Sequence, residues 1–334
     1  MPTRRAFLKC LAGLGAGSLL WGNAMLPKTA ISLPSRADKD QRWIKNPEAK
    51  LTFVVVSDIH IARSGAIRNF SALLDDNENS KPDALIVVGD LGDGLPRDYT
   101  TLRNELAEYK MKINYPIYWT IGNHEYYGGF YKYGLWSPKT FPNGETEAIA
   151  IDRFLMLAKR DKVYGDAWIN DYHFIFLGSE KSRMSDITNA DLAFLSDAQL
   201  DWFQTVLTDN EQPHKPLFVF LHQPIAYYTL EGVQPSYVIQ GQRLHDILLQ
   251  HPEIIMFNGH THYELDFRNN ASDASFTMIN SSSLANPMDT HRRPIIDSAP
   301  GLTVEVFSDK VIIKGRNFLG PNWISTAEIT IPER

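Results

Sequence analysis

The sequence predicts an α/β protein built as one sandwich of β-sheets with helices on its faces. Three observations predict it. Apolar runs at 51–56, 84–88, 117–121, 172–177, 217–221 and 254–257 lack the polar alternation of a half-exposed strand, so each reads as a strand buried on both faces. Segments of helical periodicity alternate with these runs. After position 262 the pattern changes, and 276–279, 302–307, 311–317 and 324–331 read as strands joined by turns. A second, mixed sheet made from this C-terminal part and packed on the first is the economical arrangement.

Taken in order, residues 1–26 stand apart. Thr3, Arg4, Arg5, Ala6, Phe7, Leu8 and Lys9 precede an uncharged stretch from Cys10 to Leu26 rich in Gly, Ala and Leu, which resembles a twin-arginine export signal. Cleavage after Ala24 releases an exported protein. If the segment is retained it becomes a membrane anchor, although its 17 uncharged residues are marginal for spanning. Residues 27–50, with Pro27, Pro34 and Pro47, read as a linker or a wrapped arm ahead of a single domain over 51–334. Within that domain helices are expected at 66–74, 99–111, 196–207 and 242–249. Residues 126–171 break the alternation as an aromatic-rich insert carrying Tyr126, Tyr127, Tyr131, Tyr133, Trp136, Tyr164 and Trp168. The insert also contains a turn at Pro142-Asn143-Gly144 and a helix near 147–160. Long insertions in compact domains are commonly functional, so Tyr126 and Tyr127 are substrate-contact candidates; the other reading is a cap whose rings pack on each other.

The formal net charge is −6, so no global basic field draws in nucleic-acid polymers or an anionic membrane. Removing residues 1–24 takes three basic residues and no acids, leaving 30 basic against 39 acidic residues, or −9. It also takes Cys10, the only cysteine, which rules out structural disulfides and thiolate ligation in what remains and suits an extracytoplasmic setting.

Five fragments follow the buried strands in fixed order: Asp58-Ile59-His60, Gly89-Asp90, Gly122-Asn123-His124-Glu125, His222 and Gly259-His260-Thr261-His262. Singly each is weak, since an Asp and a His two apart arise readily by chance. Jointly they place carboxylate, amide and imidazole donors at the carboxyl ends of strands, where open α/β sheets gather ligands. Hard and borderline donors of this kind suit a pair of divalent cations that activates water against a phosphorus ester.

On these fragments the chain resembles the calcineurin-like metallophosphoesterase superfamily, whose D-x-H, G-D, G-N-H-[ED], H and G-H-x-H signature is complete from Asp58 to His262. The resemblance implies a four-layer αββα sandwich of two mixed sheets flanked by helices. It implies that Asp58, His60, Asp90 and His262 ligate one metal, that Asp90, Asn123, His222 and His260 ligate the other, and that Asp90 bridges them. It implies a catalytic role for His124 facing the leaving group, with Glu125 orienting it by a hydrogen bond. Two divalent or mixed-valence ions are expected, manganese or iron favoured and zinc an alternative. Two divalent cations bring +4, while Asp58, Asp90 and a bridging hydroxide bring −3, so the site keeps about one unit of positive charge for a phosphodiester anion. Purple acid phosphatases, a related branch, carry glycine and tyrosine where this chain has His60 and Asp93, so no iron–phenolate chromophore is expected. The pattern looks instead like the bacterial cyclic-nucleotide-phosphodiesterase-like branch. The expected activity is hydrolysis of a small phosphate ester, most readily a diester, by an exported enzyme using the twin-arginine machinery. A phosphomonoesterase with the same site and a non-catalytic interaction module are the alternatives.

Overall fold

The computed structural model describes residues 29–32, 43–209, 215–229, 232–267, 272–273 and 276–331. The proposed export signal at 1–26 and half of the 27–50 arm lie outside them. Among the described residues no helix is long and apolar enough to cross a membrane.

Chain order runs β1 (Thr29–Ser32), β2 (Leu51–Val56), α1 (Ala66–Ser80), β3 (Ala84–Val88), α2 (Pro96–Glu108) and β4 (Ile117–Thr120). The insert then supplies a 3₁₀ turn at His124–Phe130, a small hairpin β5 (Tyr131–Lys132) and β6 (Leu135–Trp136), and α3 (Glu147–Ala158). Next come β7 (Gly165–Ile169), β8 (Tyr172–Phe176), α4 (Asp197–Asp209), β9 (Leu217–Phe220), a hairpin β10 (Tyr227–Thr229) and β11 (Gly232–Gln234), α5 (Gly241–Leu248) and β12 (Ile254–Asn258). The chain closes with β13 (Ser272–Asp273), β14 (Phe276–Asn280), β15 (Pro300–Val306), β16 (Lys310–Asn317) and β17 (Asn322–Thr330).

Two large sheets result. The first has the order β1-β17-β16-β15-β2-β3-β4, parallel across β2, β3 and β4 and antiparallel elsewhere. The second has the order β13-β14-β12-β9-β8-β7, parallel from β14 through β8 and antiparallel at both edges. This corrects the expected division of strands. The buried parallel strands do not share one sheet: β2, β3 and β4 lie in the first, and β8, β9 and β12 in the second. The C-terminal strands β15, β16 and β17 extend the first sheet instead of forming another, because β15 pairs antiparallel with β2 along five residues. The hydrophobic pattern is the same on either sheet and therefore does not report membership.

Burial on both faces has a direct explanation. Alternate residues of a strand point to opposite faces, so Leu51, Phe53 and Val55 meet Phe174, Phe218, Phe220 and Phe257 of the other sheet. Val54 and Val56 face outward onto Phe70, Leu73, Leu102 and Phe154 from the helices over the first sheet. Leu200, Phe203, Leu207, Leu244 and Leu248 of α4 and α5 cover the second. The four layers are therefore helix, sheet, sheet, helix. Phe53 sits edge-on to Phe174 and Phe218 with ring centroids 4.9 and 4.8 Å apart, an arrangement aromatic quadrupoles favour.

The insert is also redrawn. Its last part, β7, is an edge strand of the second sheet, so the true excursion ends before Gly165. At the other end of the chain, residues 29–32 pair with β17 and add an edge strand to the first sheet.

Candidate metal centre

The five fragments meet at one end of the sandwich, where the carboxyl ends of β2, β3 and β4 face those of β9 and β12. Short main-chain bonds lock the loops together: Asp58 N–H donates to Gly89 O at 3.0 Å, His60 N–H to Asp90 O at 3.0 Å, and Gly259 N–H to His222 O at 3.0 Å. The glycines of the fragments answer to this crowding. A Cβ on Gly89, which also has φ +79°, would lie 2.6 Å from the His222 ring, and one on Gly259 would lie 1.8 Å from Ser57 Oγ. Asp58, His60, Asp90, His260 and His262 all adopt left-handed backbone, with φ of 55°, 42°, 55°, 69° and 59°. Such conformations cost about 1 kcal/mol or more each and are characteristic of functional sites. Here they turn alternate side chains of D-x-H and H-x-H toward one point.

Donor atoms converge there. Oxygen or nitrogen atoms of Asp58, His60, Asp90 and His262 all lie within 4.8 Å of one another. Asp58 Oδ1 is 2.8 Å from His262 Nε2 and 3.7 Å from His60 Nε2, and the two imidazole nitrogens are 3.2 Å apart. A second group adjoins the first: His222 Nε2 is 3.2 Å from Asp90 Oδ2, and His260 Nδ1 is 3.0 Å from Asn123 Oδ1. Asp90 belongs to both, because its Oδ2 is also 3.9 Å from His60 Nε2. All seven residues expected as ligands are thus brought together.

Whether a cation fits can be judged from what surrounds these donors. His222 Nδ1 is 2.7 Å from Val88 O and His262 Nδ1 is 3.1 Å from Asn286 O, so each ring donates its Nδ1 proton to a carbonyl and aims Nε2 inward. His222 Nε2 and Asp58 Oδ1 are buried with no hydrogen-bond partner. The other Asp58 oxygen is held by Ser57 Oγ at 2.5 Å and by the His260 amide at 3.1 Å. These two unpaired atoms face the converging donors, where a bound cation would answer both. Electrostatics agree. Burial depresses the imidazoles of His60 and His260 to about 4, leaving them neutral and able to ligate. Burial also acts against a proton on His222, but the carboxylates of Asp90 and Asp58 outweigh it and hold that ring up at about 10. The pocket thus has a negative potential that demands positive charge.

His124 lies beside the donors rather than among them. Its Nδ1 is 2.8 Å from Asp93 Oδ1, and its ring packs edge-on to His60 at 4.5 Å and against Tyr127 at 3.9 Å. Burial opposes a proton on this ring, but Asp90 and Asp93 outweigh it and raise its pKa above the ordinary value. The expected role of Glu125 is corrected here. The Gly122–Glu125 segment is not extended, since Asn123 is helical and a 3₁₀ turn starts at His124. Glu125 does not orient His124. Its buried carboxylate accepts the main-chain N–H groups of Gly122, Leu91 and Asp90 at 2.6, 2.7 and 3.1 Å, clamping the loops after β3 and β4 together. The group that holds His124 is Asp93, whose second oxygen takes the Tyr131 hydroxyl at 2.5 Å. Desolvation pushes the Asp93 carboxyl up, but these two hydrogen bonds prevail and lower it to about 2.

The two tyrosine candidates part company. Tyr126 is buried and gives its hydroxyl to Ser179 O at 2.7 Å. Tyr127 stacks on His124 and hydrogen-bonds Asp191 at 2.7 Å. Sequence reasoning missed Ser57, Ser283 and Asn286, which hold Asp58 and His262 in place. It also passed over Tyr237, whose ring lies 4.6 Å from that of His260. The one local signal was that Ser57 directly precedes Asp58.

A sandwich of two mixed sheets that gathers metal donors at its loop end defines a metallophosphoesterase. The chain belongs to the calcineurin-like phosphoesterase family, whose model matches residues 51–264. An uncharacterised metallophosphoesterase of Campylobacter jejuni is 30% identical over 86 residues, which is 26% of this chain and 22% of that protein. A Caenorhabditis elegans metallophosphoesterase is 32% identical over 79 residues, 24% of this chain and 16% of its own length. The chain thus matches only about a fifth of the length of these curated relatives. Among solved structures, a dimetal phosphatase from Danio rerio superposes with a TM-score of 0.60 at 14% identity, over 86% of this chain and all of that one. A purple acid phosphatase from yellow lupin gives 0.52 at 15% identity, over 83% of this chain and 53% of the other. At these identities the likeness is one of fold.

Proposed function

We propose that this protein is an exported, metal-dependent phosphodiesterase acting on a small phosphate ester. Asp58, His60, Asp90 and His262 would hold one ion, Asp90, Asn123, His222 and His260 a second, and Asp90 would bridge them. The ions, when bound, supply Lewis acidity and an activated water for attack on phosphorus. The chain's own residues do the rest. Val88 O and Asn286 O fix the tautomers of His222 and His262. Glu125 keeps Asp90 and Asn123 in register by gripping both loops. His124, held protonated at Nδ1 by Asp93, offers Nε2 near Asp90, 3.9 Å from its Oδ2, where it can hand a proton to a departing alkoxide.

The observation that carries this reading is the pairing of a complete donor set with an adjacent imidazole whose pKa two carboxylates raise. A proton donor beside the donors is most useful when the leaving group is an alcohol. A surplus of about one positive charge suits an anionic phosphoryl group. Elemental analysis together with hydrolysis of bis(4-nitrophenyl) phosphate and 4-nitrophenyl phosphate tests it. Two metals per chain with faster turnover of the diester are expected. A reversed preference would make the protein a monoesterase, and bound metal without turnover would make it a binding module. Manganese or iron is the expected load, because a protein exported after folding can take its metal in the cytoplasm, before zinc or copper outcompetes it.

A further inference from the structure

The aromatic insert reaches His124 by two routes. One is direct: the Tyr127 ring lies against the imidazole with centroids 3.9 Å apart. The other runs through Asp93, whose Oδ1 is 2.8 Å from His124 Nδ1 and whose Oδ2 accepts the Tyr131 hydroxyl at 2.5 Å. A carboxylate turns easily about its last bond, and the Asp93 side chain is 20% exposed, so water competes for its oxygens. The main chain of this loop is already fixed, because Asp98 Oδ2 accepts the N–H groups of Asp93 and Leu95 at 2.8 and 3.1 Å. The carboxylate itself has two holders. Among the described residues only His124 and Tyr131 hydrogen-bond it. With Oδ2 occupied by the Tyr131 hydroxyl, Oδ1 stays turned toward His124 Nδ1, and Nε2 stays on the Asp90 side, 3.9 Å from its Oδ2.

Tyr131 is braced in turn. The Arg97 guanidinium lies 5.6 Å from the centroid of its ring, and Trp136, its partner across the β5–β6 hairpin, meets it edge-on at 5.6 Å. The hairpin pairs over only two residues on each strand, too few to hold alone. Trp136 stacked on Phe130 at 4.5 Å fastens it to the rest of the insert. We propose that Tyr131 is a positioning residue for the leaving-group acid, acting through Asp93 to hold the His124 ring where Nε2 can deliver its proton. That proton passes from Nε2 to the departing oxygen as its bond to phosphorus breaks, while the Nδ1 proton stays on Asp93. The hairpin is then part of the catalytic apparatus and more than a cap. This role rests on the phosphoesterase reading with His124 as acid, and it names the element that sets the acid.

Methyl aryl phosphates graded from 4-nitrophenyl to 4-methoxyphenyl as leaving group test this with the metal-loaded, full-length protein. Tyr131→Phe should keep its metals and nearly all of its kcat on the 4-nitrophenyl ester, whose phenolate departs unaided. On the 4-methoxyphenyl ester kcat should fall roughly 10-fold to 100-fold with KM unchanged, the usual scale when a hydrogen-bonding partner behind a working group is removed. Tyr133→Phe, on the same hairpin but 94% exposed, should lose nothing. Asp93→Asn combined with Tyr131→Phe should fall no further than Asp93→Asn, because the hydroxyl works only through that carboxylate. No loss in Tyr131→Phe, a loss equal across the series, or one that adds in full to that of Asp93→Asn overturns the proposal. Failure of the underlying reading shows in other proteins of the set. A wild type without turnover removes the phosphoesterase, a His124→Ala loss equal across the series removes the acid, and either takes the role of Tyr131 with it.

Discussion

Asp90 offers Oδ1 to the His124 amide at 2.9 Å and Oδ2 to His222 at 3.2 Å and His60 at 3.9 Å, so one carboxylate touches both donor groups. Asp90→Ala should consequently lose more than one equivalent of metal, whereas His262→Ala should mainly weaken one site. Elemental analysis of the folded variants decides it, and two ions retained in Asp90→Ala would remove Asp90 as the bridge. His124 invites a differential test. His124→Ala should keep its metals and much of its rate on nitrophenyl diesters, whose leaving group needs no proton. On alkyl diesters it should lose roughly 10²–10⁴-fold, the usual scale of general acid catalysis. Equal losses on both would mean that His124 serves the metals or the phosphoryl oxygens instead. Asp93 adds a pH arm. Its carboxylate raises the His124 pKa, and activity on alkyl diesters falls as pH rises through that value. Asp93→Asn should therefore shift the alkaline limb to lower pH with metal content unchanged, and an unmoved limb would break the link between the two residues. The sequence showed every donor, because residue chemistry is local. It did not show that Asp93 rather than Glu125 holds His124, since that choice depends on a 3₁₀ turn that rotates Glu125 toward the β3 loop.

At the scale of elements, the insert joins two roles. Phe130, Trp136 and Phe141 stack at 4.5 Å centroid spacings, and Tyr131 reaches from the β5–β6 hairpin to Asp93. Trp136 is 50% exposed while Tyr126 is 3% exposed. Trp136→Ala should change KM or substrate ranking at constant metal content, whereas Tyr126→Ala should lower the yield of folded protein and leave the kinetics of the remainder intact. Unchanged kinetics in Trp136→Ala would assign the hairpin to packing alone. Strand positions such as β2 and β3 were readable because burial on both faces leaves an unbroken apolar run, whereas α1 runs to Ser80, beyond the expected 66–74. β7 escaped notice: the first four of its residues, Gly-Asp-Ala-Trp-Ile, alternate between half-buried and exposed positions on a sheet edge, and the strand lacks that run.

Across the whole molecule, the two sheets hold the centre between them. Asp58, Asp90 and Asn123 come from loops of the first sheet and His222, His260 and His262 from loops of the second, so the packing of Phe53 against Phe174 and Phe218 sets the spacing of the donors. Arg316 ties the first sheet to α1, pairing with Asp76 at 2.5 and 2.7 Å while fully buried. For the intact chain, lysine at both Arg4 and Arg5 should leave folded, metal-bearing protein inside the cell. Fractionation showing normal export of that variant would exclude the twin-arginine route.

Local chemistry thus determined the donor set, the order of the fragments and the strands that carry them, because apolar runs and ligand-type side chains are properties of short segments. Tertiary structure alone decided which strands share a sheet and which carboxylate holds His124. Those outcomes depend on contacts between residues far apart in sequence, such as β2 with β15, and on left-handed turns at Asp58, Asp90 and His260 that only the packed loops can sustain.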